Sequence, residues 1–257
     1  MDLSQFDWKF KIFGFPVRVM VSFWLICVFF SPFLRGQNGP WLFGLLGWSA
    51  AVFLSILVHE LGHAFAMRKV YGSTPTIDLG IGSTASGAFV FGGLTSSSTS
   101  DRVPIKRALT AAAGPIAEIT AAFALALLLI PLGFRFERTT IFGVIPSISA
   151  DVESFRFFGS LPLIYFTYFF VEGFVFVGIV WGLFNLAPIF PCDGGQILLS
   201  ILGQSLGADG VRITMIVSIA LSAALGYLFL REESYFMAFF FFFSAYQNYR
   251  VLSGWRR

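Results

Sequence analysis

Charge is what this sequence has least of. Only 12% of its 257 residues are Asp, Glu, Lys or Arg, about half of what a soluble globular chain carries, so a water-facing surface of this size is excluded. Histidine is scarcer still: the two in the chain are His59 and His63, and any site that needs imidazole must use them. Two cysteines, Cys27 and Cys192, lie in or beside apolar segments, which excludes a disulfide framework and leaves the redox compartment unreported. A net charge of +3, scattered rather than clustered, excludes nucleic acid as a partner. No small-x-small site follows the first apolar run, so no cleavable signal peptide is expected. Stretches between apolar segments stay short of the roughly 50 residues a domain requires, so no accessory soluble domain is expected.

What fills the chain is apolar: 56% of it is hydrophobic, with 34 phenylalanines. The lipid bilayer is therefore its solvent, and the fold class read from the pattern is an all-α polytopic membrane protein, one integral-membrane domain over residues 1–257. The apolar runs predict six transmembrane helices, at residues 17–34, 41–67, 106–131, 161–186, 211–230 and 235–249. Residues 1–16 precede them as a surface strand, because Phe6, Trp8, Phe10 and Ile12 alternate with Asp7, Lys9 and Lys11 until Gly14 and Pro16 turn the chain. Residues 70–103, rich in Gly, Ser and Thr, are too weakly hydrophobic to span and too apolar for a solvated linker. They read as a small re-entrant β region between the second and third spans, with strands at 76–81 and 88–91, turns at Gly92-Gly93, and flexible polar chain at 95–100.

The chemistry sits in His59-Glu60-Leu61-Gly62-His63. On a helix a spacing of four advances about 400°, so the two imidazoles share one face, one turn apart. Neutral imidazoles are good Zn²⁺ ligands, and a glutamate on the adjoining turn can take a proton from water activated there. The bland alternative is a pair of structural histidines, but ionisable side chains inside a bilayer are expensive and functional as a rule. Zinc held by two histidines wants one more protein ligand. With no third histidine, the membrane acids Asp193, Glu118 and Glu172 are the candidates; Asp193 is the best of them, because the prolines and glycines around it expose unwound backbone and allow close approach of another helix.

Lys and Arg distribution supports the same choice. With six spans, one side carries Lys9, Lys11, Arg68, Lys69, Lys106 and Arg107 among others, against Arg35, Arg135, Arg138, Arg156 and Arg231 opposite. Both termini and the His59 to His63 end are then cytoplasmic, and Asp193 reaches the same side.

These residues together resemble the site-2 protease family of intramembrane zinc metalloproteases. The segment from His59 to His63 is similar to the family's first motif, and Asn185-Leu186-Ala187-Pro188-Ile189-Phe190-Pro191-Cys192-Asp193-Gly194-Gly195 to its second, while Ala113-Gly114-Pro115 resembles its third span. The resemblance implies His59, His63 and Asp193 on one zinc per chain, Glu60 as general base, and Asn185 as a donor to substrate or oxyanion. Two positions depart from the family's pattern. Glu118 stands where many members have asparagine, which makes it a candidate to contact substrate, and Cys192 stands where an apolar residue is usual and could compete with Asp193 as a ligand. Glu172 is expected to pack between helices or face a cavity.

The expected activity is hydrolysis of a peptide bond in or near the transmembrane segment of a single-span membrane protein or membrane peptide, that is, regulated intramembrane proteolysis. A helical substrate must unwind first, and the strand around Val90 could accept it as an added strand. Two rivals use the same residues: a catalytically silent homologue that binds membrane segments, and a metal or proton transporter, which would want ionisable residues at several depths.

Overall fold

A computed structural model describes residues 3–31, 40–83, 89–96, 103–141 and 145–254. Its axis is α2 (Trp41–Tyr71), 31 residues without proline. Arg68 and Lys69 in its last turn oppose the helix dipole, and Gly72 ends it at φ 67°, returning its N–H to the Arg68 carbonyl. Helix α3 (Pro104–Leu129) opens on a proline, whose missing N–H costs nothing in a first turn. Helix α4 (Leu161–Asn185) completes the central trio, and small residues set how closely it packs. A side chain on Gly47 of α2 would overlap the Phe166 carbonyl of α4, and one on Gly62 would meet the Ala113 carbonyl of α3.

Six spans were expected; among the described residues four helices are long and apolar enough to cross a membrane. They are Trp41–Tyr71, Pro104–Leu132, Leu161–Asn185 and α6 (Ala208–Arg231). Leu127, Leu128 and Phe123 on α3 are exposed, as lipid-facing side chains are. The protein is thus a multi-pass integral membrane protein with four candidate spans. The expected first span divides into a strand and α1 (Val21–Phe29), nine residues and so about 14 Å long, too short to cross. The expected sixth is α7 (Tyr235–Gly254), long enough, but diluted by Ser244, Gln247, Asn248 and Arg250. Between α4 and α6 lies the shorter α5 (Asp193–Leu206).

The β region takes in the N-terminal surface strand, in keeping with its period-two pattern, and a second strand from the start of the chain besides. Strands β1 (Trp8–Ile12), β2 (Phe15–Val19), β3 (Thr76–Ser83) and β4 (Phe89–Ser96) form one sheet in that order. Neighbours run antiparallel except β2 and β3, which run parallel, with Val17 opposite Ile77. The sheet therefore does not belong to the second loop alone: β2 takes residues that hydropathy assigned to a span. Likewise Gly92-Gly93 and Thr95 are strand, not turn or flexible chain. Phe15, Val17, Val19, Ile77 and Leu79 are buried against Ile56, Leu57 and Leu61 of α2, so the sheet is fastened to the half of α2 that carries the histidines. Phe13 (φ 51°) and Gly14 (φ 83°) supply the two left-handed residues of a tight hairpin turn. Arg68 holds that turn to α2, donating to the Phe13 carbonyl at 2.8 Å and stacking 3.6 Å above the Phe15 ring.

A second hairpin, β5 (Phe136–Ile141) and β6 (Ile145–Ala150), occupies what reads in sequence as a polar loop. Glu172 of α4 anchors it, accepting from the Ala150 N–H at 2.5 Å and the Ser149 hydroxyl at 3.1 Å. That contact accounts for a carboxylate in the middle of an apolar helix.

Candidate metal centre

Two helix faces meet here. On α2, Ser55, His59 and His63 recur every four residues and stand above one another; on α3, which runs antiparallel, Thr110, Gly114 and Glu118 do the same. Glu118 Oε2 lies 2.8 Å from His59 Nδ1, and Ser55 donates to Glu118 Oε1 at 2.8 Å. His63 Nδ1 lies 2.7 Å from the Thr110 carbonyl. Gly114 between them has no room for a side chain, since a methyl group there would overlap the His63 ring.

Asp193 is the first residue of α5, reached by the loop that leaves α4. Gly194 and Gly195 permit the loop to fold back on itself: a side chain on Gly194 would strike the Leu186 carbonyl, and one on Gly195 the backbone of Ile189 and Phe190. The close approach expected of another helix is thus made by the chain's own loop. Helices α6 and α7 hold that loop from outside. The Phe190 N–H donates to Ser218 Oγ at 2.9 Å, and Asn248 Nδ2 donates to the Phe190 carbonyl at 2.6 Å.

The donor set fits a metal ion. His59 Nε2 is 3.1 Å from both His63 Nε2 and Asp193 Oδ2, and His63 Nε2 is 3.4 Å from Asp193 Oδ2. Three ligands about 2.0 to 2.1 Å from a shared centre at tetrahedral angles stand roughly 3.3 Å apart. Each Nδ1 faces an acceptor, so each ring carries its proton there. Two Nε2 lone pairs and a carboxylate oxygen then converge with no hydrogen between them, an arrangement that repels itself unless a cation lies in the middle. All three residues are buried, and together they form a group that could hold a metal.

Glu60, next in sequence to His59, turns instead toward β4. Thr95 Oγ1 lies 2.6 Å from Glu60 Oε2 and 3.1 Å from the Glu60 carbonyl, and the strand comes close at Gly93, where a methyl group would overlap the Glu60 carboxylate. Both histidines, Glu60 and Asp193 line one cavity of about 760 Å³, walled on the far side by Met237, Phe240 and Phe241 of α7. Asn185, the last residue of α4, lines it too. Cys192 also lines it, but its sulfur is not in the converging donor set. Burial pushes the Cys192 thiol up to about 12, and the neighbouring Asp193 carboxylate adds to this.

Glu118 is not among the residues that line the cavity; its two oxygens meet Ser55 Oγ and His59 Nδ1. Val90 lies in β4 opposite Gly82, but its side chain falls outside the described residues. Sequence reasoning missed Ser55, Thr110, Gly93, Thr95 and Asn248. Ser55 was within reach, four residues before His59 on the same face.

A profile of Peptidase family M50 matches residues 48–225. The protein sll0528 of Synechocystis sp. is 28% identical over 207 residues, 77% of this chain and 44% of its own length. The zinc metalloprotease MJ0392 of Methanocaldococcus jannaschii is 26% identical over 250 residues, 95% of this chain and 60% of its own length. The chain thus spans less than two thirds of either relative. A solved site-2 protease from Methanocaldococcus jannaschii shares the fold, with a TM-score of 0.53 at 20% identity and 94% of each chain covered.

Proposed function

Because the chain belongs to peptidase family M50, the site-2 protease family of zinc metalloproteases, we propose that it hydrolyses a peptide bond in or near the transmembrane segment of a membrane protein. One observation carries this reading: two imidazole nitrogens and a carboxylate oxygen converge at a cavity that the Glu60 carboxylate also lines, held by Thr95.

His59, His63 and Asp193 would hold one zinc ion per chain. Bound there, zinc supplies a Lewis acid that polarises a carbonyl and brings the pKa of water toward 7. Glu60 is the general base: it takes a proton from the attacking water and returns it to the leaving nitrogen as the C–N bond breaks. The Thr95 hydroxyl keeps that carboxylate pointed into the cavity. Asn185, which lines the cavity, would donate to the substrate carbonyl or the oxyanion that forms from it. Strand β4 ends the strand order of the sheet and borders Glu60, so an unwound substrate strand could add to it near Val90. The described helices and sheet act as one integral-membrane unit. Its site end faces the cytoplasm, on the strength of Lys9, Lys11, Arg68, Lys69 and Arg107 gathered there.

The test is zinc content of the detergent-purified protein together with cleavage of single-span peptides by wild type and Glu60→Gln. The expected result is one zinc per chain in both and cleavage by wild type alone. Full activity of Glu60→Gln, or a folded wild type without zinc, would overturn the reading.

A further inference from the structure

Glu118 is 1% exposed, on a helix apolar enough to span a membrane. A carboxylate in such a place is costly unless something offsets its charge. Among the described residues no lysine or arginine pairs with it; its contacts are Ser55 Oγ and His59 Nδ1, both at 2.8 Å. A neutral amide could accept from His59 Nδ1 through its oxygen and donate to Ser55 Oγ through its nitrogen, at less cost to folding. What an amide could not do is place negative charge behind the His59 ring. His63, by contrast, is backed by an uncharged acceptor, the Thr110 carbonyl. The two histidines of the centre are therefore unequal: one rests on a carboxylate, the other on the backbone.

We propose that Glu118 is the positioning residue of the metal centre, a carboxylate that fixes the His59 ring with Nε2 toward Asp193 and strengthens it as a metal ligand. The proposal rests on the metal reading above and adds which residue sets the affinity. The cation that offsets the buried carboxylate is the metal itself, reached through the imidazole. A carboxylate, a histidine and a metal in line raise ligand basicity, and loss of the outer partner costs about 10-fold to 100-fold in metal affinity. Ser55 holds the other oxygen and so restrains the carboxylate against the His59 ring.

The experiment measures the zinc dissociation constant of the full-length detergent-solubilised protein by chelator competition, with the visible spectrum of the cobalt-substituted protein and the melting temperature of the metal-free protein as companions. Glu118→Gln keeps the shape and removes the charge: zinc should bind about 10-fold to 100-fold more weakly, the cobalt bands should move, and the metal-free melting temperature should not fall. Ser55→Ala leaves the charge against His59 and should bind zinc within a few-fold of wild type. Wild-type affinity in Glu118→Gln would overturn the proposal while leaving the metal centre standing. Equal weakening in Ser55→Ala, with metal-free melting lowered in both, would also overturn it, as the mark of a packing role. A folded wild type that binds no zinc would remove the metal reading and this proposal with it.

Discussion

Gly93 of β4 and Glu60 of α2 touch so closely that a methyl group on the glycine would occupy the space of the Glu60 carboxylate. The strand thus serves as the wall against which the proposed base is set, with Thr95 two residues on supplying its hydrogen bond. Gly93→Ala should push the carboxylate aside while leaving the metal ligands alone. A displacement of about 1 Å costs on the order of 100-fold in rate, so kcat should fall by about that factor at unchanged zinc content. Wild-type turnover in that variant would mean that the position of Glu60 against β4 does not matter.

Gly114 stands in the same relation to His63, yet its substitution should have a different outcome. A methyl group there would meet the imidazole ring itself, so Gly114→Ala forces a ligand out of place rather than the base. Overpacking of this kind costs about 1 to 3 kcal/mol, and zinc should bind more weakly together with a lowered melting temperature. Gly203→Ala is the control, since nothing lies within 4 Å of the added atom. A zinc titration of the two variants separates them, and equal affinity would show that α3 yields at Gly114.

Parts of this centre were legible from sequence because periodicity alone determines them. A spacing of four puts His59 and His63 on one helix face in any setting, and Asp193 followed from depth, backbone-freeing prolines and motif resemblance. The same arithmetic applied to α3 places Glu118 one turn from Gly114 and two from Thr110, on the face that packs against the histidines. Other parts leave no side-chain signal. The Thr110 partner of His63 is a carbonyl, and Gly93 looks like turn chemistry until the sheet brings it against Glu60. Counting six spans failed in part because hydropathy cannot see strand pairing: residues 17–19, at the start of the expected first span, pair in parallel with β3 instead. In α7 the polar residues that dilute the span have work of their own, with Ser244 and Gln247 in the cavity wall and Asn248 on the loop.

Removing the metal should destabilise the fold as well as stop the reaction. Two lone pairs and a carboxylate oxygen crowd within 3.4 Å, and binding to the folded state alone adds about 2.7 kcal/mol of stability at a ligand concentration 100 times the dissociation constant. Stripping the protein with a chelator should lower its melting temperature, and zinc should restore both melting and cleavage. Melting that ignores zinc would argue that the three donors are satisfied without an ion.

Glu172 provides the contrast with Glu118, a second carboxylate within an apolar helix whose work is structural. Glu172→Ala leaves the buried Ala150 N–H without its acceptor, a loss of about 1 to 3 kcal/mol, and should loosen the hairpin of β5 and β6. Zinc affinity should stay at the wild-type value, because none of the hairpin's described side chains lines the cavity. Weaker zinc binding in Glu172→Ala would show that the hairpin communicates with the centre through α4.

Asn248 lies outside the residues matched by the family profile, yet it holds the metal-ligand loop. Its amide donates to the carbonyl of Phe190, three residues before Asp193, while Ser218 holds the Phe190 N–H. Losing that donor leaves a part-buried carbonyl unpaired, at about 1 to 3 kcal/mol, and frees the loop to shift the carboxylate. Asn248→Leu should therefore weaken zinc binding although it lies on a different helix from every proposed ligand. Ser253→Ala, which removes only an exposed hydroxyl near the end of the same helix, should not. If zinc binds both variants as tightly as wild type, Gly194 and Gly195 suffice to set Asp193, and the C-terminal helices serve the cavity wall alone.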